Sequence, residues 1–110
     1  MDTQTQQIIY GSEIKLNINI KPIDSLHMSD YDFNVVFFTN TESKIVMNKD
    51  QCKKVDDDNY LALLDTTKLG LGKLKMKITA YLPDIDFDDE LRTEVIQETT
   101  GIQIVKSWDV

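Results

Sequence analysis

The sequence predicts an all-β domain: an antiparallel sandwich of about seven short strands. Three observations lead there. Apolar residues recur with period two in several segments, the signature of strands with one buried face. No segment sustains a 3.6-residue apolar stripe long enough for a stable helix. Turn-forming residues punctuate the chain at short intervals, as they do in sandwiches.

Taken in order, Glu13 to Ile20 sets Ile14, Leu16, Ile18 and Ile20 on one face and Lys15, Asn17 and Asn19 on the other. Pro22 and Asp24-Ser25 end that strand. Phe33 to Thr39 is β-branched and aromatic on both faces, which suits a central strand. Asn40 to Ser43 makes a tight connection, and Lys44 to Asn48 returns as the second arm of a hairpin. Lys49 to Val55 is expected to hold a short helical turn capped by Asp50. Asp56 to Asn59 reads as a solvated loop. Tyr60 to Asp65 is apolar on both sides and is expected to be buried.

Thr66 to Gly72 reads as a corner, with Leu69 plugging the core and Gly70 and Gly72 free to take positive φ. Lys73 to Leu82 alternates most cleanly: Leu74, Met76, Ile78, Ala80 and Leu82 against Lys73, Lys75, Lys77, Thr79 and Tyr81. Pro83 to Glu90 is an acidic loop. Leu91 to Thr99 and Ile102 to Val105 form the last strand, with Thr100-Gly101 marking a bulge or a bend. The core is therefore expected from Ile14, Leu16, Ile18, Phe37, Leu69, Leu74, Met76, Ile78, Ile96 and Ile104.

The 110 residues fit a single domain, with 1–7 as a flexible lead-in and 106–110 as a tail. The formal net charge of -7 argues against nucleic acid or an anionic membrane as the main partner, because phosphates are bound through Lys and Arg. No stretch approaches the ~20 apolar residues of a membrane span. Met1 to Gln7 lacks the basic and apolar regions of a signal peptide, so none is expected there. Cys52 is the lone cysteine and rules out an internal disulfide; it is expected to pack as a small residue.

Few motifs carry chemistry. Asp84, Asp86 and Asp88 alternate as Ca²⁺ ligands do, and they are the one metal candidate. An EF-hand needs Gly and Glu where Asp89 and Val95 stand. His27 is the single histidine and cannot build a zinc site alone. No Gly-x-Ser-x-Gly elbow is present, and Gly70-Leu71-Gly72 lacks the Lys-Ser/Thr of a phosphate loop. An enzyme is not expected, and neither is a cofactor. Lys73, Lys75 and Lys77 are expected to pair across the hairpin with Glu94 and Glu98. Ile8, Ile9, Tyr10 and Trp108 place apolar groups beside both termini, which marks them as candidate partner-binding residues. Two roles stay open for Trp108: presentation to a partner, or cover for one end of the sandwich.

The stretch Asp56 to Leu74, with its Asp65-Thr66 and Leu69-Gly70-Leu71-Gly72 corner, leads through a long strand to Tyr81-Leu82-Pro83-Asp84 and Arg92-Thr93-Glu94. Together with Asp30-Tyr31-Asp32-Phe33 and Val35 to Phe38, it resembles the small Ig-like β-sandwich modules of phage and prophage tail and baseplate proteins. The resemblance implies an Ig-like fold, a structural or attachment role among protein subunits, copies of itself included, and a location in the cytoplasm before assembly or in a virion. It carries no catalytic residue across. The rival expectation is a carbohydrate-binding or cell-surface adhesion module, for which Tyr10, Tyr31, Tyr81 and Trp108 are the scattered aromatic candidates.

Overall fold

The computed structural model describes residues 6–21 and 26–108. Met1 to Thr5 of the expected lead-in, the Pro22 to Ser25 break and the last two residues of the tail lie outside the described residues. Eight strands form two packed sheets. They are β1 (Gln6–Ile9), β2 (Glu13–Ile18), β3 (Asp32–Phe38), β4 (Lys44–Asn48), β5 (Lys53–Asp56), β6 (Asn59–Asp65), β7 (Gly72–Pro83) and β8 (Leu91–Val105). One sheet has the order β1-β8-β7-β3-β4, the other β2-β6-β5. Among the described residues no helix is long and apolar enough to cross a membrane.

The core follows from the period-two pattern. Phe33, Val35 and Phe37 from β3 and Leu74, Ile78, Ala80 and Leu82 from β7 face Ile18, Tyr60, Ala62 and Leu64 of the smaller sheet, all of them buried. Fully burying one such large side chain contributes about 1.5–3 kcal/mol. Phe33 stands edge-on to both Tyr31 and Tyr60, with ring centroids 6.4 and 5.4 Å apart. Leu69 is buried at the corner, as the sequence suggests. Met76 and Ile104 are also inward and buried, whereas Ile14, Leu16 and Ile96 are only partly covered.

Several expectations are corrected. The sheet is not wholly antiparallel, because β1 runs parallel to β8, Gln6 opposite Ile102 and Ile9 opposite Val105. Gln6 and Gln7 thus belong to a strand and not to a flexible arm. The short strand β5 adds an eighth element that the charged run Lys53-Lys54 conceals. The 3-10 turn Lys49–Gln51 is capped by Asn48, whose backbone N–H donates to Gln51 Oε1 at 2.7 Å; Asp50 lies inside it. β6 buries one face only, and Leu63 is 58% exposed, because no layer covers the outside of the three-stranded sheet.

The lysine row also pairs differently. The loop 84–90 sets Pro83 opposite Leu91, so odd residues face odd residues across the hairpin. Lys73, Lys75 and Lys77 oppose Gln103, Thr99 and Gln97, while Glu94 and Glu98 oppose Ala80 and Met76. Opposed residues share a face, so the glutamates lie on the side away from the lysines. The bulge is where the sequence places it: from Lys73 to Lys75 the partner strand runs from Gln103 back to Thr99. Gly101 takes φ 77°, and Thr100 Oγ1 donates to the Leu74 carbonyl at 2.9 Å. Gly72 has the expected positive φ, but Gly70 does not; a Cβ there would collide with the Thr41 side chain.

Candidate partner-docking surface

The end of the sandwich that gathers both described chain ends is built by local hydrogen bonding. Thr66 is fully buried; its hydroxyl donates to the Ser12 carbonyl at 2.7 Å and accepts from the Gly11 N–H at 2.9 Å. The Thr66 N–H also donates to the Ser12 carbonyl, at 3.1 Å. These bonds tie the β1–β2 turn to the β6–β7 corner. They place Tyr10, whose N–H donates to the Val105 carbonyl at 2.8 Å and whose hydroxyl donates to the Thr67 carbonyl at 3.2 Å. The ring is fixed at both ends while 41% of the residue stays exposed.

Around Tyr10, Leu71 projects from the corner and Lys106, Ser107 and Trp108 arrive from the end of β8. Together they line a shallow cavity of ≈ 410 Å³. Trp108 is 86% exposed, so it does not seal the core. Ile9 is exposed, and Ile8 points the other way, packing against the core opposite Ile104. Of the four expected residues, then, Tyr10 and Trp108 line one cavity, Ile9 is exposed outside its lining, and Ile8 serves the interior. Leu71 was missed by sequence reasoning. Its signal is an apolar residue between two glycines in a tight corner, where no strand can bury it.

Other clusters are committed to the fold. The Asp84 carboxylate accepts from Arg92 at 2.8 Å and from the Asp86 N–H at 3.1 Å, and Asp89 accepts from the Leu91 N–H. Asp86 and Asp88 are exposed in the same loop. Among the described residues, no three His, Cys, Asp or Glu side chains converge as a metal site requires. His27 Nδ1 lies 2.9 Å from Asp58, which raises the imidazole pKa chiefly through that hydrogen bond and then through the carboxylate's charge. Cys52 is buried, and burial pushes its thiol pKa up, away from nucleophilic use. A larger cavity of ≈ 650 Å³ borders Asn34, Asn48, Lys49 and Lys54. There the Lys49 ammonium donates to the Tyr31 carbonyl at 2.7 Å and lies over the Phe33 and Tyr60 rings at 5.9 and 5.7 Å, bracing the core wall.

The chain matches no family model, no curated protein and no solved structure.

Proposed function

We propose that the protein is a non-catalytic interaction module, a subunit that docks onto other protein subunits through the Tyr10–Leu71–Trp108 surface. The observation that supports this most is the meeting of three large apolar side chains from distant parts of the chain, all exposed and facing one shallow cavity. Aromatic anchors of this kind dominate protein interfaces, because they bury much area while losing little side-chain entropy. The strand order adds support for an Ig-like module: β2-β6-β5 facing β8-β7-β3-β4 follows the B-E-D and G-F-C-C′ order of variable-type immunoglobulin sandwiches. A tail or baseplate component of a phage-like particle is the assembly this reading favours, on the resemblance of the Asp56–Leu74 stretch and its flanking motifs.

The test is co-purification of the full chain with the products of its flanking genes. A Tyr10→Ala, Trp108→Ala double variant is expected to lose the partner while keeping its far-UV circular dichroism and melting temperature. Retention of the partner by that variant, or flanking products that never bind, would defeat the reading. Tyr10 beside Trp108 also favours a second reading, a carbohydrate platform, since sugar rings stack on such pairs. Trp108 is the lone tryptophan, so its fluorescence reports this surface directly. A saturable change on adding glycans, abolished by Tyr10→Ala, would move the assignment to sugar binding.

A further inference from the structure

β8 is flanked by β7 on one side along nearly its whole length, but on the other side β1 covers only Ile102 to Val105. Among the described residues, Leu91 to Gly101 therefore present an open sheet edge. Strand edges expose unpaired N–H and C=O groups and invite a further strand unless something discourages it. The other edges carry such protection: β1, the outer strand beyond Ile102 to Val105, is only four residues long. β4 is five residues long and begins with Lys44. β5 is four residues long, holds Lys53 and Lys54, and has a register break. β2 carries Lys15 at its middle. The stretch Leu91 to Thr99 has no Lys, Pro or Gly, its inward charges Arg92 and Glu94 are of opposite sign, and it exposes Leu91 and Val95 on its outer face.

The residues of this edge select a partner: another copy of themselves. A two-fold axis perpendicular to the sheet keeps inner side chains inner, so residues that oppose each other across it must both be odd or both even. Centred on Val95, the pairing sets Arg92, which also holds Asp84, against Glu98 twice, Thr93 against Gln97, Glu94 against Ile96, Leu91 against Thr99 and Val95 against Val95. No like charges are opposed and every residue from Leu91 to Thr99 is used. Centred on Ile96, Glu94 would oppose Glu98 twice; centred on Glu94, that carboxylate would oppose itself. Like charges directly opposite are destabilising. Centred on Thr93, the pairing would use only Leu91 to Val95, and centred on Gln97 it would run into the Thr100-Gly101 bulge.

We infer that two copies of the chain associate through antiparallel pairing of Leu91–Thr99, with a two-fold axis at Val95, joining their larger sheets into one continuous sheet. The surface is separate from the Tyr10–Trp108 cavity, so one copy can hold its twin and a different subunit at once.

Sedimentation of the intact chain is expected to show a dimer, and Val95→Lys, which sets two ammonium groups against each other at the axis, a monomer with unchanged circular dichroism. Register is read by cross-linking. Val95→Cys places two thiols on strands whose opposed Cα atoms are about 4.5–5.5 Å apart, within disulfide reach. It should form a covalent dimer on oxidation. Thr93→Cys should not, its two copies being offset by four residues, about 13 Å. Wild type, whose Cys52 is buried, is the control. A monomeric wild type, a dimer that survives Val95→Lys, or equal cross-linking at 93 and 95 would overturn the inference. A wild type that stays monomeric while binding a strand of another protein overturns it too. The Tyr10→Ala, Trp108→Ala variant should remain dimeric, which separates failure here from failure of the docking surface.

Discussion

The two ends of the sandwich solve the same problem in different ways. At the end that holds Tyr10, Thr66 and Leu69, each connection is tied: Thr66 satisfies Ser12 and Gly11, β1 covers β8, and Ile102 and Ile104 are buried between them. At the other end, among the described residues, β8 has no neighbour beyond β7, its inner residues Arg92, Glu94 and Ile96 are only partly covered, and two buried oxygens, Tyr31 Oη and Glu94 Oε2, make no hydrogen bond within the described chain. Buried polar groups without partners are costly. Among the described residues, the outer edge of β8 is closed where β1 lies and open along the far half of the same strand.

The largest expected effect comes from breaking this contrast inside β8 itself. Ile104→Ala removes a side chain that is 1% exposed and should cost about 2–5 kcal/mol in denaturant unfolding. Val95→Ala, at a residue that is 51% exposed, should cost under about 1 kcal/mol when measured below the concentration at which copies associate. Equal losses would mean that the open half is as firmly packed as the closed half.

Much of this contrast was legible in the sequence, and the reason is the period of two. Ile102-x-Ile104 and Leu74-x-Met76-x-Ile78 announce an inner face whichever strands lie beside them, and the Thr100-Gly101 step announces a bulge. What stayed hidden depends on neighbours. The parity of the β7–β8 hairpin is set by the loop 84–90, so Glu94 and Glu98 looked like partners for the lysines when they lie on the opposite face. The parallel lane of β1 beside β8 rests on pairing between residues nearly a hundred positions apart, which no local pattern encodes. Leu63 looked like core because an apolar residue does not say how many layers its sheet will have. Gly70 looked like a residue needed for its φ; the close approach of Thr41 is what excludes a side chain there. At the docking surface, sequence proposed Tyr10 and Trp108 separately, and only the closure of the termini brings them together.

A smaller effect, of opposite sign, is expected at the open end. The Tyr31 ring is buried against Phe33, but its hydroxyl makes no hydrogen bond within the described chain. Burial first, and then the negative charges of Asp58 and Glu94, push its pKa from 10.0 to about 12. Tyr31→Phe keeps the ring and should raise stability by roughly 1 kcal/mol in neutral buffer. The sign at high pH follows from the same shift. A phenol whose folded pKa is raised favours the folded state below the unfolded pKa of 10.0, and that preference is lost as pH climbs towards about 12. Wild type should therefore lose stability across that alkaline window more steeply than the Phe variant. Parallel curves would mean that Tyr31 ionises equally well in both states.

The smallest effect is expected at the His27–Asp58 pair, which links the segment before β3 to the β5–β6 turn on the surface. Asp58 raises the His27 pKa above 6.5, chiefly by accepting the hydrogen bond and then by its charge, with lesser help from Asp30 and Asp57. A histidine whose folded pKa is raised stabilises the fold fully below its unfolded value near 6.5, and the contribution disappears as pH rises through the folded pKa. Both side chains are about half exposed, so salt screens the pair and its effect is small. Melting temperatures of wild type and Asp58→Asn should differ below that value in low salt, converge as the imidazole loses its proton, and converge also when salt is added at the lower pH. A difference that is independent of pH would show that Asp58 acts through the turn it helps to form. In that case the contact between the two segments would rest on backbone geometry, with no contribution from the charge of His27.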